Sequence, residues 1–242
     1  MAKMTNAQRF IKCYNAIDNA LRVQGDMRRS ISYTEAVRRA ARTNGLVKKY
    51  EDELIDYGRL RNAIVHSADT TKLIAEPNEE VVEEFEKICS LICSPPLAVD
   101  TICNKKFASL EHNVKLHDVM QFMYQSGYSS IPIYKDSMLI GVANATKITR
   151  LLGKKLYQKE DINKYITSTT IEEALKDLFE NNYYTIANEK TTLDKILNLF
   201  SENRKLLLII ITKNGSLLEQ PIGIVTAGDI MEINKILDNF GA

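Results

Sequence analysis

Arg61, Asn62 and His66 bring a fixed cation, an amide and a titratable imidazole onto one short stretch of chain. Asn62 and His66 are four apart and share a helix face, while Arg61, five from His66, must lean across to meet it. The three could converge on one phosphodiester. An imidazole, with an unperturbed pKa of about 6.5, moves protons near neutrality. A guanidinium forks onto phosphate oxygens and stabilises charge building on phosphorus. Asn62 would orient the imidazole or donate to the phosphate. No carboxylate cluster calls for a metal, so the fitting chemistry is metal-independent RNA scission through the 2′-hydroxyl. The bland alternative pairs Arg61 with Glu53 or Asp56 and lets His66 close the helix near its negative pole.

A second constellation lies near the carboxyl end. Gly223-Ile-Val-Thr226-Ala-Gly-Asp229 puts a hydroxyl at a strand end and a carboxylate three residues on. The helix beginning there offers free N–H groups to an anion. Asp229 could accept two ribose hydroxyl bonds while Thr226 meets a phosphate. The same spacing also describes a helix cap that needs no ligand.

The elements that must position these groups divide into two halves. Up to residue 94 the pattern is helical. Phe10, Tyr14, Ile17 and Leu21 mark a first helix, and 32–43 a second that ends at Asn44-Gly45. Val47, Tyr50, Leu54, Tyr57 and Ile64 form the stripe of a third, with Arg61 in an apolar slot. A charged residue in that slot suggests a groove or a subunit contact. Pro77-Asn78 opens a fourth helix, with Val81, Val82, Phe85, Ile88 and Ile92 inward. The fold class expected is α+β: a four-helix bundle over 1–94, then tandem β-α-β-β-α units over 95–242. Ser94-Pro95-Pro96 marks the boundary.

The second half repeats itself. A helix over 116–125, strands over 130–134 and 139–143 and a helix from 145 return as a helix over 193–201, strands over 206–212 and 222–226 and a helix from 228. Ile131-Pro-Ile-Tyr-Lys-Asp parallels Ile209-Ile-Ile-Thr-Lys-Asn, and Gly141-Val-Ala-Asn parallels Gly223-Ile-Val-Thr. The first copy spans about 100–155 and the second about 183–242. Each is too small to bury a comfortable core alone, so the two should pack together.

Composition narrows the classes. Of 242 residues, 45 % are hydrophobic and 26 % charged, as in a soluble globular protein. The longest apolar run, 206–211, is far below a membrane span. No charged-then-apolar leader is visible at the amino end, so a cytoplasmic location is expected. Cys13, Cys89, Cys93 and Cys103 show no disulfide framework, and two of them four apart read as buried thiols before a zinc site. The net charge of +1 hides a bias: the first 50 residues hold eleven Lys or Arg against three acids, a surplus of eight. That suits a phosphate-rich partner, or a solvated face balanced by the acidic stretch 76–86.

The doubled unit closing on Gly223-Ile-Val-Thr-Ala-Gly-Asp-Ile230 resembles a CBS-domain pair, the Bateman module. The resemblance implies a cleft between the copies that takes an adenine nucleotide, AMP, ADP or ATP. It gives the phosphate and ribose contacts to Thr226 and Asp229 and places Thr185 and Ile186 beside the base. The first copy departs from the pattern. Asn144 replaces the hydroxyl, and Lys147 replaces the acid. A lysine cannot accept ribose bonds, though it could reach a phosphate. One functional nucleotide site, or none, is expected. The helical half, with its intact Arg61-Asn62…His66 motif before the fourth helix, resembles the HEPN superfamily. That resemblance implies a dimer in which two motifs meet across a two-fold axis.

Together these expectations describe a homodimeric endoribonuclease acting on RNA, free of membranes and metals and tuned by an adenine nucleotide. The alternative is a non-catalytic nucleotide sensor whose helical half mediates dimerisation or docks protein or RNA. A DNA-reading helix over 32–43 has no helix-turn-helix spacing behind it.

Overall fold

Side-chain caps set where the amino-terminal helices begin in this computed structural model. Thr5 opens α1 (Asn6–Gln24) reciprocally: its hydroxyl accepts from the Gln8 N–H, and Gln8 Oε1 accepts from the Thr5 N–H at 3.0 Å. Ser32 caps α2 (Tyr33–Ala40) at the Glu35 N–H, and Asn78 caps α5 (Glu79–Cys93) at the Val81 N–H. Asn44 departs from expectation. Rather than ending a helix it starts one, its Oδ1 accepting from the N–H groups of Leu46 and Val47 in the short α3 (Gly45–Lys49). An asparagine serves either role. Here α2 already ends at Ala40, so the amide is free to cap the next helix. Helix α4 (Glu51–Ile64) then carries Arg61 and Asn62. The span read as four helices therefore holds five among the described residues, which are 4–65, 75–103, 106–178 and 183–240.

Two compact units divide the chain. The first draws on residues up to Pro96, on Thr192–Asn198 and on the chain from Glu232. Its core joins Phe10, Ile17 and Leu21 of α1 to Val82, Phe85 and Ile88 of α5. The Phe10 and Phe85 rings are 4.6 Å apart, and Tyr57 of α4 lies 4.4 Å from Phe85. Burying each of these phenylalanines contributes about 1.5–3 kcal/mol. Arg9 of α1 forks onto Glu86 at 2.9 and 2.6 Å and reaches Glu79 at 2.5 Å, fixing α1 against α5.

The second unit, Leu97–Thr191 with Leu199–Met231, holds two three-stranded sheets among its described residues. Sheet one has β1 (Leu110–Glu111) parallel to β2 (Ser130–Lys135), which is antiparallel to β3 (Met138–Asn144). Sheet two has β4 (Tyr184–Asn188) parallel to β5 (Leu208–Thr212), antiparallel to β6 (Pro221–Thr226). The repeat holds down to register. Ile133 faces Gly141 and Ile211 faces Gly223, and a bulge comes next in both, at Ile133/Tyr134 and Ile211/Thr212. Side chains alternate across each sheet. Ile131, Ile133 and Ala143 pack on α7 (Leu116–Ser126), α8 (Ala145–Tyr157) and α10 (Ile171–Asp177). Tyr134, Leu139 and Val142 turn the other way and meet Leu208, Ile210 and Ile224 of sheet two in one shared core. The remaining helices are α6 (Ala98–Thr101), α9 (Ile162–Ser168), α11 (Leu193–Glu202) and α12 (Ile230–Asn239), the last entered through a 3₁₀ turn, Ala227–Asp229. No described helix is long and apolar enough to cross a membrane. The architecture is mixed α+β.

Candidate functional site

Register decides what Thr226 can face. Tyr184, Leu208 and Thr226 form one row across sheet two, and Ile186, Ile210 and Ile224 form the row two residues along. Leu208, Ile210 and Ile224 belong to the core shared by the sheets, and Tyr184 and Ile186 pack against it. Thr226 thus lies at the end of the inter-sheet face. Its N–H and its hydroxyl both donate to Asp229 Oδ2, at 2.7 and 2.9 Å. The pair is a cap, as the spacing allows. Oδ1 of the half-buried Asp229 has no protein partner among the described residues.

Thr185 and Ile186 separate. Adjacent strand residues point to opposite faces, so Ile186 joins the inter-sheet face while Thr185, half-buried, lies on the far side of β4. The aromatics before them fill the place instead. Tyr183 is buried, and its hydroxyl donates to the Val142 carbonyl at 2.5 Å. Tyr184 meets it edge-on, with 5.5 Å between centroids. Burial raises the pKa of both phenols. Lys147 of the first copy sets its Nζ 5.0 Å from the Tyr183 ring centre, so a first-copy cation is brought to second-copy side chains. The adjacent tyrosines preceding Thr185 were the sequence signal for this contact.

The first copy's motif is closed on itself. Asn144, 4 % exposed, accepts from the Lys147 N–H at 3.1 Å and donates to Ser130 Oγ and the Ser129 carbonyl. Both its amide hydrogens and one acceptor site go to capping α8 and fixing the Ser129–Ser130 end of β2. Each polar atom of the Asn144 side chain thus has a protein partner, whereas Asp229 keeps a whole oxygen without one among the described residues.

In the helical unit, Arg61 pairs with neither Glu53 nor Asp56. Asp56 takes Arg59 at 2.8 Å. The Arg61 guanidinium lies 5.4 Å from the Tyr14 ring centre, and its Nη1 reaches Asn62 Oδ1 at 3.5 Å. Its Nε is buried without a hydrogen-bond partner. Tyr14 stacks on Tyr33 at 4.5 Å, and burial raises the Tyr14 pKa against the pull of Arg61. Asn62 is exposed, and His66 lies outside the described residues. The cysteines are free thiols, with the Cys89 and Cys93 sulfurs 3.9 Å apart. No group of three or more metal-binding side chains occurs among the described residues.

Comparison with known proteins meets the repeat in the second half. The family model "CBS domain" matches residues 99–154 and 181–235. No curated protein matches the chain. Several solved structures are similar. A signal-transduction protein with CBS domains from Burkholderia ambifaria MC40-6 is 16 % identical, spanning 56 % of this chain and 87 % of that one, with a TM-score of 0.42. The CBS domain of a bacterial CNNM/CorC family Mg2+ transporter, in complex with ATP, is 19 % identical over 65 % and 96 %, at 0.44. CBSX2 in complex with AMP is 16 % identical over 60 % and 99 %, at 0.44. Two family matches, each taking in one of the two register-matched hairpins, make this part of the chain similar to a pair of CBS domains.

Proposed function

We propose that the CBS pair binds one adenine nucleotide at the second-copy motif and that the helical unit, as a homodimer, carries the response. The observation behind this is the unspent Oδ1 of Asp229, whose other oxygen is held by Thr226, the residue that ends the strand row holding Tyr184. A carboxylate there accepts ribose hydroxyls. Thr226 and the turn it opens meet the phosphates, Lys147 adds a cation, and Ile186 with Tyr184 supplies an apolar wall for the base. The donor set suits a nucleotide: acceptor for sugar, cation for phosphate, flat apolar surface for purine. The doublet of one open and one closed motif favours one ligand per pair.

ATP and AMP, bound in two of the similar structures, set the nucleotides to try, together with ADP. Calorimetric titration should give saturable binding of at least one of them, at one site per chain. Asp229→Ala should weaken it about 10- to 100-fold, the worth of hydrogen bonds to a charged acceptor. Wild-type affinity in a folded Asp229→Ala protein, or no binding of all three nucleotides, refutes the assignment.

RNA scission by Arg61, Asn62 and His66 across a dimer axis is a second reading. It is supported by the buried Nε of Arg61, a guanidinium nitrogen without a hydrogen-bond partner among the described residues.

A further inference from the structure

Five exposed cations lie between residues 28 and 48: Arg28 and Arg29 between α1 and α2, Arg38 and Arg42 on α2 and the turn after it, and Lys48 on α3. None has a carboxylate partner among the described residues. The other two cations of the stretch are spoken for, Arg39 by Glu35 at 2.7 Å and Lys49 by Asp238 at 2.9 Å. Arg38, Arg42 and Lys48 line a single groove of about 370 Å³, with Ala41 and Glu51. Arg28 borders another of about 510 Å³ over Leu21, Met27 and Ile31. Arg38 and Arg42 are one helical turn apart, a spacing at which like charges repel. In the groove three cations meet one acid, Glu51, and the nearby Glu35 is engaged by Arg39, so an anion from outside would stabilise the surplus.

The kind of anion is set by what the face has and lacks. Four of the five are arginines, whose planar forks match phosphate oxygens. Between residues 24 and 49 there is no exposed large apolar side chain, so nothing there would enter a lipid surface. Tyr33, the one aromatic on α2, is 8 % exposed and offers no stacking platform for unpaired bases. The groove of Arg38, Arg42 and Lys48 is lined by neither aromatic nor amide side chains, so contact there falls on backbone phosphates.

We propose that the α2–α3 face binds the phosphodiester backbone of a nucleic-acid duplex without reading its sequence. This stands apart from the nucleotide site and from Arg61.

Fluorescence anisotropy on the full chain, with labelled RNA and DNA duplexes at salt between about 50 and 200 mM, tests it. Log affinity should fall linearly with log salt. The triple variant Arg38→Ser, Arg42→Ser, Lys48→Ser should flatten the DNA slope by about 2 to 3, near 0.9 per lost phosphate contact. It should also weaken binding on the order of tenfold or more. A control triple with the same change in net charge, Lys164→Ser, Lys190→Ser, Lys213→Ser, should behave as wild type. The tighter of the two duplexes identifies the source of the phosphates. Equal loss in both triples, an unchanged slope in the first, or no duplex binding at all overturns the proposal. So does tighter binding of single strands, of polyglutamate, or of phosphatidylserine vesicles.

Discussion

Arg61 sits where the spacing of α4 asks for an apolar side chain, and it settles into no ion pair among the described residues. Contact with Tyr14 offsets part of its desolvation, by about 0.5–2 kcal/mol for a guanidinium over an aromatic face. Its buried Nε, without a partner, works the other way. A position built for stability alone would do as well with methionine, which keeps the apolar stem against Tyr14 and removes the buried, unpartnered Nε. Scission chemistry separates the two cases. Total RNA incubated with wild type should be cut in a reaction insensitive to EDTA, and His66→Ala should slow it about 10²- to 10⁴-fold. Arg61→Met should cut far more slowly while keeping a wild-type melting temperature. Identical RNA profiles for all three proteins would remove the catalytic role and leave Arg61 a packing residue.

Among the elements, the first copy is pinned by one carboxylate. Glu172 on α10 meets His112 Nδ1 at 2.8 Å beyond β1, Lys135 at 3.3 Å at the end of β2, and Lys176 at 3.4 Å one turn along its own helix. Lys135 first, then His112, hold the Glu172 pKa below its ordinary value. The sign comes from linkage: a carboxyl with a lowered folded pKa adds stability above the unfolded pKa, about 4.3, and loses it as pH falls toward the folded value. Glu172→Gln should lower the melting temperature at neutral pH and reduce the drop seen on acidification below about pH 4. A variant with the wild-type profile would show the cluster to be solvated and inert. None of this is legible in the sequence, because His112, Lys135 and Glu172 are brought together by β1 pairing with β2, and a two-residue strand has no periodicity to read. The hairpins β2–β3 and β5–β6 are legible because β5 is a continuous apolar run and the two copies align, with Gly141 and Gly223 at equivalent places. Asn44 misleads because one amide can end or begin a helix, and only the early stop of α2 selects between them. Thr226 and Asp229 stand out by spacing, but their dual use does not, since one carboxylate oxygen caps while the other is left over.

At the scale of the molecule, helix α12 matters for what a bound nucleotide could change. It comes directly after the Thr226–Asp229 cap, and from Glu232 onward its residues belong to the helical unit. There Leu237 is 6 % exposed, and Asp238 pairs with Lys49 of α3. A ligand that competes for Asp229 alters the first turn of a helix whose far end is packed among α3 and α5 residues, in a pocket that includes Tyr50, Ile88 and Leu91. Any influence requires the nucleotide to prefer one arrangement of that helix over another. Hydrogen exchange can detect it. Saturating nucleotide should change protection both at the start of α12 and in α3 and α5. The Lys49–Asp238 pair is exposed and worth at most about 1 kcal/mol, so Asp238→Lys should leave folding and nucleotide affinity intact. By turning attraction into repulsion at the far end, it should shrink the α3 and α5 response while sparing the one at Thr226. Wild-type protein that responds only in the CBS pair, or a variant that responds everywhere as wild type does, would mean that α12 carries nothing between the motif and the helices.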